Sequence, residues 1–182
     1  MQGFGSGAFS DLNGLDTRSE TERRADYLHR VDLVKLGLAG NLKDYTLTTY
    51  DGHTLTGAQL DYNGQGAGFA SQPAENVNYV DAHDNETLFD LVTYKMPASA
   101  PMDHRVRMSL ISQASVTLAQ SPAFWASGTE MLRSKSLDRD SFNSGDHFNV
   151  IDWTMKDNGF GRGLPVKSKN GAAWDHMRPL LE

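Results

Sequence analysis

NVNYVDAHDNETLFD, residues 76–90, sets a strand, a polar strand exit and a helix start in fifteen consecutive positions. Val77, Tyr79 and Val80 supply the β-branched and aromatic character of a short buried strand. His83, Asp84 and Asn85 follow where that strand ends. Leu88, Phe89, Leu91 and Val92 then give a short helix over Glu86 to Lys95, stopped by Pro97. Polar groups at a strand's exit matter because, in barrels and open α/β sheets alike, ligands meet the carboxyl ends of the strands.

Downstream, Pro101 and Asp103 start another helix. Leu110, Ala114 and Thr117 or Leu118 form its apolar stripe, with Ile111 beside it, until Gln120-Ser121-Pro122 ends it. Ala123-Phe-Trp-Ala126 reads as a second buried strand, so strand, helix and strand predict a right-handed parallel βαβ unit. From Gly128 onward the chain is polar and turn-rich, an ordered loop with a short terminal helix near 172–181.

Upstream, Ser19 and Glu22 have capping-box spacing. Tyr27, Val31, Val34 and Leu38 follow along one face, which predicts a helix over about Ser19 to Ala39, ended by Gly40-Asn41. Residues 45–50 and 53–56 flank Asp51-Gly52, a dipeptide suited to a type I′ turn, and predict a β-hairpin. Residues 61–73 read as a long glycine-rich loop. Residues 1–18 read as loop with one strand around Gly7 to Ser10. No internal repeat or linker divides the 182 residues, so one domain is expected.

Composition narrows the function classes. With 38% hydrophobic and 22% charged residues, and no apolar run near the ~20 needed to span a bilayer, no membrane partner is expected. A net charge of -6 gives no general attraction for nucleic-acid phosphates, so a neutral substrate fits better. The absence of cysteine removes disulfides, thiolate metal sites and thiol nucleophiles. The first residues, MQGFGSGAFSD, carry neither the basic region nor the apolar core of a signal peptide. The histidines lack metal-ligand spacing, and no G-x-S-x-G, P-loop or H-E-x-x-H occurs.

Three groups of residues could carry chemistry. Asp84 at a strand's end, beside His83, can act as nucleophile, base, metal ligand or acceptor for sugar hydroxyls. The alternative is that Asp84 N-caps the helix that follows. A second group, Arg133 to Asp146, interleaves charges with turn formers, residue types that by themselves favour a solvated face over a site. The third is aromatic: Tyr62, Phe69, Phe124, Trp125, Phe142, Phe148 and Trp153 are either core or, in the glycine-rich and polar loops, platforms for sugar rings.

At the first two of these blocks the sequence resembles type I pullulanases, starch-debranching enzymes of the alpha-amylase family. NYVDAHDNETLFD at 78–90 is similar to that family's motif at the end of barrel strand seven. RVRM at 105–108 resembles the start of its seventh helix, and LRSKSLDRDSFNSGDHFN at 132–149 resembles the segment after strand eight. FSD at 9–11, LGLAGNL at 36–42 and DYNG at 61–64 match too. The resemblance implies an α/β fold: a partial (β/α) barrel, about strands six to eight with their helices and a β-hairpin insertion, spanning 1–182 as one domain.

The resemblance also implies roles. Asp84 would be the third carboxylate of the family's catalytic trio, gripping ring hydroxyls in the cleavage subsite and helping the sugar distort toward its transition state. His83 would bind the same hydroxyls. Asn85, Asp140, Asn143 and Asp146, with Trp125, would contact an α-glucan such as starch, pullulan or maltooligosaccharides. The family's nucleophilic Asp follows strand four and its acid Glu strand five, and the resemblance aligns this chain downstream of both. Retaining hydrolysis needs two carboxyl groups ~5–5.5 Å apart, and Asp84 in its family role is neither. Glu86, Asp81, Glu130 or a carboxylate across an oligomer interface are the candidates to add one. The alternative is a non-catalytic α-glucan-binding module. No cofactor is required; calcium accompanies many relatives, but this chain has no D-x-D-x-D-G loop. A full barrel takes about 250 residues, so a partial one leaves strand edges open, and a homo-oligomer is expected to cover them.

Overall fold

The computed structural model describes residues 2–82, 84–165 and 179–181. The expected helix near 172–181 lies mostly outside them. Helix α1 spans Glu20–Leu38 and starts as its sequence requires: the Glu22 N–H donates to Ser19 Oγ at 3.3 Å, and the Glu22 carboxylate accepts from the Ser19 N–H at 2.9 Å. Its end is a Schellman motif. The Asn41 N–H reaches the Leu36 carbonyl and the Gly40 N–H the Gly37 carbonyl, each at 3.0 Å. Gly40 sits at φ 93°, and a Cβ there would lie 3.0 Å from Pro73 Cβ, so two constraints select glycine.

The face that α1 buries is not the expected Tyr27–Val31–Val34–Leu38 stripe but Asp32 and Leu36, both fully buried. Leu36 packs with Leu47 and Leu60, and Leu33, Leu55 and Ala67 close around them. Asp32 accepts from Lys35 Nζ and from the Tyr50 N–H, both at 2.7 Å, which ties the adjacent hairpin to the helix. A capped carboxylate thus replaces an apolar contact.

That hairpin pairs β1 (Thr46–Thr48) with β2 (Thr54–Thr56), in the register Leu47 opposite Leu55. Its connection differs from the expected mirror-image turn. Gly52 has φ 86° while Asp51 is not left-handed, and the Thr49 N–H bonds the His53 carbonyl at 2.9 Å, giving a three-residue loop that ends on glycine. The type I′ pattern occurs one step later. Asn63 (φ 54°) and Gly64 (φ 86°) join β3 (Asp61–Tyr62) to β4 (Gln65–Gly66), a two-residue hairpin inside the expected loop. The strand expected near Gly7 is instead a 3-10 turn, Phe4–Ser6, closed by left-handed Gly7.

The βαβ unit reduces to one parallel pairing. The Asn78 N–H donates to the Pro122 carbonyl at 2.9 Å and the Phe124 N–H to the Asn78 carbonyl at 2.8 Å, bridging Asn78 to Ala123. Tyr79 meets Phe124 edge to face across this pair. Helices α2 (Leu88–Lys95) and α3 (Met102–Thr117) form the crossover, with Leu88, Val92 and Met96 as its core. No closed barrel forms among the described residues. Neither expected strand is buried on both sides: Val77 is 53% and Tyr79 60% exposed. Val34, Leu38, Val77, Val80 and Val116 line an open cavity of about 240 Å³ between α1, this strand and α3.

Helix α3 also turns the expected face outward. Leu110, Ile111 and Leu118 are exposed, whereas Arg105, Ser109, Ser112, Gln113 and Val116 are buried. Hydrogen bonds make this possible: Arg105 donates to the carbonyls of Thr93 at 2.9 Å and Pro97 at 2.8 Å, and Gln113 Nε2 to that of Thr129 at 3.1 Å. No described helix is long and apolar enough to cross a membrane.

Candidate functional site

Two stretches far apart in sequence, 81–90 and 133–149, meet beyond the paired strands. Asp81, at the end of the first strand, accepts from the Leu88 N–H at 2.8 Å and from Thr129 Oγ1 at 2.9 Å. It thereby clips the strand exit, the start of α2 and the turn after the second strand into one unit. The cap of α2 is Thr87, whose Oγ1 accepts the Asp90 N–H at 3.2 Å. Asp84 therefore does not N-cap this helix, and it stands exposed on the loop ahead of it, beside Asn85 with φ 64°.

The facing loop is held by buried carboxylates. Asp90, fully buried on α2, accepts from Ser134 Oγ at 2.5 Å and from the Lys135 N–H at 2.7 Å. Burial pushes its carboxyl up to about 6, against the pull of the Ser134, Lys135, Thr87 and Leu137 donors. Asp138, also fully buried, accepts from the Asp140 N–H at 2.9 Å and Ser144 Oγ at 2.7 Å. Between them the backbone turns left-handed at Ser136 (φ 53°) and Leu137 (φ 63°), a conformation that costs of order 1–3 kcal/mol per non-glycine residue. Leu137 is wholly buried, and Ser136 Oγ donates to the Gly163 carbonyl at 2.6 Å, so packing on both sides offsets that cost. Burial, then the neighbouring Arg133 guanidinium, lower the Lys135 ammonium, with Asp90, Asp138 and Glu86 pulling the other way.

Asp84, Asn85, Lys135, Arg139, Asp140, Ser141, Phe142 and Asn149 line a groove of about 420 Å³ where the two stretches meet. Arg139 crosses it, donating to Asn85 Oδ1 at 3.2 Å and lying 3.9 Å from the Glu86 carboxylate. Ser141 and Asn149 close the far wall through two 2.8 Å hydrogen bonds. The groove thus offers carboxylates, a guanidinium, amides and an exposed aromatic ring, the donor, acceptor and stacking set that a neutral polyhydroxylated ligand needs.

Of the residues singled out in the sequence, Asp84, Asn85 and Asp140 come together here. Trp125, Asn143 and Asp146 are exposed but do not line this groove, and His83 lies outside the described residues. Lys135, Ser141 and Asn149 went unrecognised as lining. Lys135 and Ser141 share the signal of the charged, turn-rich 133–146 block, which a solvated face also carries, and Asn149 lies just beyond it. Of the seven aromatics weighed as platforms, Phe148 is core and the rest are exposed. Two candidate second carboxylates are engaged: Asp81 as described, and Glu130, which accepts the Gly128 N–H at 3.1 Å.

No family model matches the chain. It is 47% identical to a pullulanase of Klebsiella aerogenes over 174 residues, which is 96% of this chain and 16% of that protein. It is 41% identical to chloroplastic pullulanase 1 of Arabidopsis thaliana, covering all of this chain and 19% of that one. The solved structure of Klebsiella pneumoniae pullulanase complexed with maltotriose superposes with a TM-score of 0.90 at 44% identity, over 100% of this chain and 17% of that one. The chain therefore spans less than a fifth of these relatives' length. By sequence and by fold the whole chain is similar to one segment of these pullulanases.

Proposed function

We propose that the chain is the glucan-gripping part of a pullulanase-type, starch-debranching glycoside hydrolase, a partial catalytic barrel whose 182 residues act as one domain. The observation that carries this reading is the groove itself, which brings Asp84, Asn85 and Asp140 together from segments more than fifty residues apart. The maltotriose complex of a 44% identical relative supports the ligand class. In this reading Asp84 accepts hydrogen bonds from ring hydroxyls of an α-glucan and favours the distorted, oxocarbenium-like ring. Arg139, Asn85 and Asp140 orient the neighbouring unit, and Phe142 offers a stacking face. His83 acts beside Asp84, while Asn143, Asp146 and Trp125 contact more distant sugar units.

Cleavage needs a nucleophile and an acid. Asp81 and Glu130 are engaged in holding backbone and hydroxyl donors, which leaves them poor recruits. The retaining hydrolase reading is left with Glu86, 3.9 Å from Arg139, and carboxylates across an oligomer interface to supply those groups, and the second reading is binding without cleavage. Reducing-sugar release from pullulan and from amylose, compared between the wild type and Asp84→Asn, separates them when run beside retention on a starch gel. Retention with release that falls in the variant supports the hydrolase. Retention without release supports the binding module, and no retention removes both. The exposed Val77 and Tyr79 edge further favours self-association, read by light scattering: a monodisperse monomer contradicts it.

A further inference from the structure

We infer that Asp90 is a positioning residue for the groove: from helix α2 it fixes the left-handed turn at Ser136 and Leu137 and so sets the wall that Lys135, Arg139 and Asp140 form. Asp90 does not itself line the groove. Its carboxylate reaches across 44 residues of sequence to Ser134 Oγ and 45 to the Lys135 N–H, and it is fully buried. Ser134 Oγ in turn accepts the Ser136 N–H at 2.9 Å, so one carboxylate organises the backbone that enters the turn. Beyond the turn Asp138 takes over, accepting the Asp140 N–H at 2.9 Å. The segment between has no regular secondary structure, and an isolated chain does not hold two consecutive non-glycine residues left-handed. A buried carboxylate with several converging donors supplies what the local sequence lacks.

A merely structural role and a positioning role differ in where the damage falls. An apolar contact in the α2 core, removed, loosens that core generally. Removing the Asp90 carboxylate releases one loop and deforms one wall. Asparagine is the informative substitution: its Oδ1 can accept the Lys135 N–H, and its Nδ2 can donate to Ser134 Oγ, so the two anchors survive without the charge.

The test uses the full chain and two readouts, and the second rests on the glucan reading given above. Amide hydrogen exchange of 133–141 is compared with that of 28–38 in the wild type, Asp90→Ala and Asp90→Asn, and maltotriose affinity is titrated for each. Asp90→Ala is expected to raise exchange of 133–141 about tenfold with 28–38 unchanged, and to weaken maltotriose about tenfold, while Asp90→Asn stays within about threefold of wild type on both. Leu36→Ala, which destabilises the chain from a distance, serves as the control and leaves maltotriose affinity unchanged. Unchanged exchange of 133–141 in Asp90→Ala, or an equal rise in both segments, overturns the inference. So does an asparagine variant as damaged as the alanine one. If Asp90→Ala does not fold, Ser134→Ala removes one anchor and takes its place: faster exchange confined to 133–141 supports the inference, and unchanged or uniform exchange overturns it. If the wild type does not bind maltotriose, the glucan reading fails, and the exchange comparison still decides the role of Asp90.

Discussion

The segment from Ser19 to Ala70 and the segment from Asp81 to Pro165 are built on different physics. In the first, a capped helix and two short hairpins bury Leu36, Leu47 and Leu60 against one another, and each turn uses a glycine or asparagine where φ is positive. In the second, the buried groups that decide the shape are carboxylates. Asp90 gathers Ser134 and Lys135 from across the sequence, Asp81 ties Leu88 to Thr129, Asp138 gathers Asp140 and Ser144 of its own loop, and Leu132, Ser136 and Leu137 stand in left-handed conformations with no glycine to ease them. The first region follows local rules at its caps and turns, although buried Asp32 also reaches the Tyr50 N–H 18 residues away. The second breaks them and compensates with long-range hydrogen bonds, and the groove lies there. This is the pattern expected of a site whose geometry is imposed on the chain rather than preferred by it.

The largest expected effect tests the first region. Leu36→Ala opens a fully buried site between helix and hairpins and should cost about 3–4 kcal/mol, read as a lower denaturant midpoint with little change in slope. A loss below about 1 kcal/mol would show that this core is not what holds the region.

The next tests the second region through pH. The folded-state carboxyl of Asp90, at about 6, lies above its ordinary 3.8, so between these values the folded chain binds a proton that the unfolded chain releases. Its contribution to stability is complete below pH 3.8 and is lost as pH rises to about 6, roughly 3 kcal/mol in all. Subtracting the unfolding free energy of Asp90→Asn from that of the wild type should expose this slope, and a flat difference from pH 4 to pH 6 speaks against a buried ionising carboxyl. The carboxylates held low by partners, such as Asp11 by His104 and Asp16 by Arg18, have the opposite sign and act in more acidic solution.

Asp81→Ala comes third. It strips the Leu88 N–H of its acceptor, leaves Thr129 Oγ1 only the Ala126 carbonyl, and should cost about 2 kcal/mol, with fraying at the start of α2 visible as faster exchange of 86–90. Smallest is Ser19→Ala, which removes half of an exposed capping box. A loss of about 1 kcal/mol confined to the first turn of α1 is expected, and an equal effect at α2 would blur the contrast between the regions.

What could be read in advance follows the same division. The start of α1, its glycine stop and the β1–β2 hairpin rest on signals within a few residues and appear in the fold, while the parallel pairing of Asn78 with Ala123 follows from the order of strand, helix and strand over 77–126. Periodicity misjudged α3 because hydrogen bonds from Arg105 and Gln113 let a polar face go inward. Asp51-Gly52 and Asn63-Gly64 exchanged turn types because loop length, fixed by pairing on either side, selects among turns that the dipeptides equally allow. Asp84 could be singled out as a strand-exit carboxylate, yet its rivalry with the capping reading was resolved only by Thr87 taking the cap. Lys135 and Asn149 were out of reach, since Asp90 and Ser141 place them from 45 and 8 residues away.

The groove's proposed occupant is the central claim, and titration of the full chain with maltotriose by calorimetry, in the wild type and in Asp84→Asn, tests it most directly. The account predicts saturable binding weakened about tenfold in the variant, as the loss of one charge-assisted acceptor for sugar hydroxyls implies. Binding that is absent in the wild type, or equal in the two proteins, contradicts it.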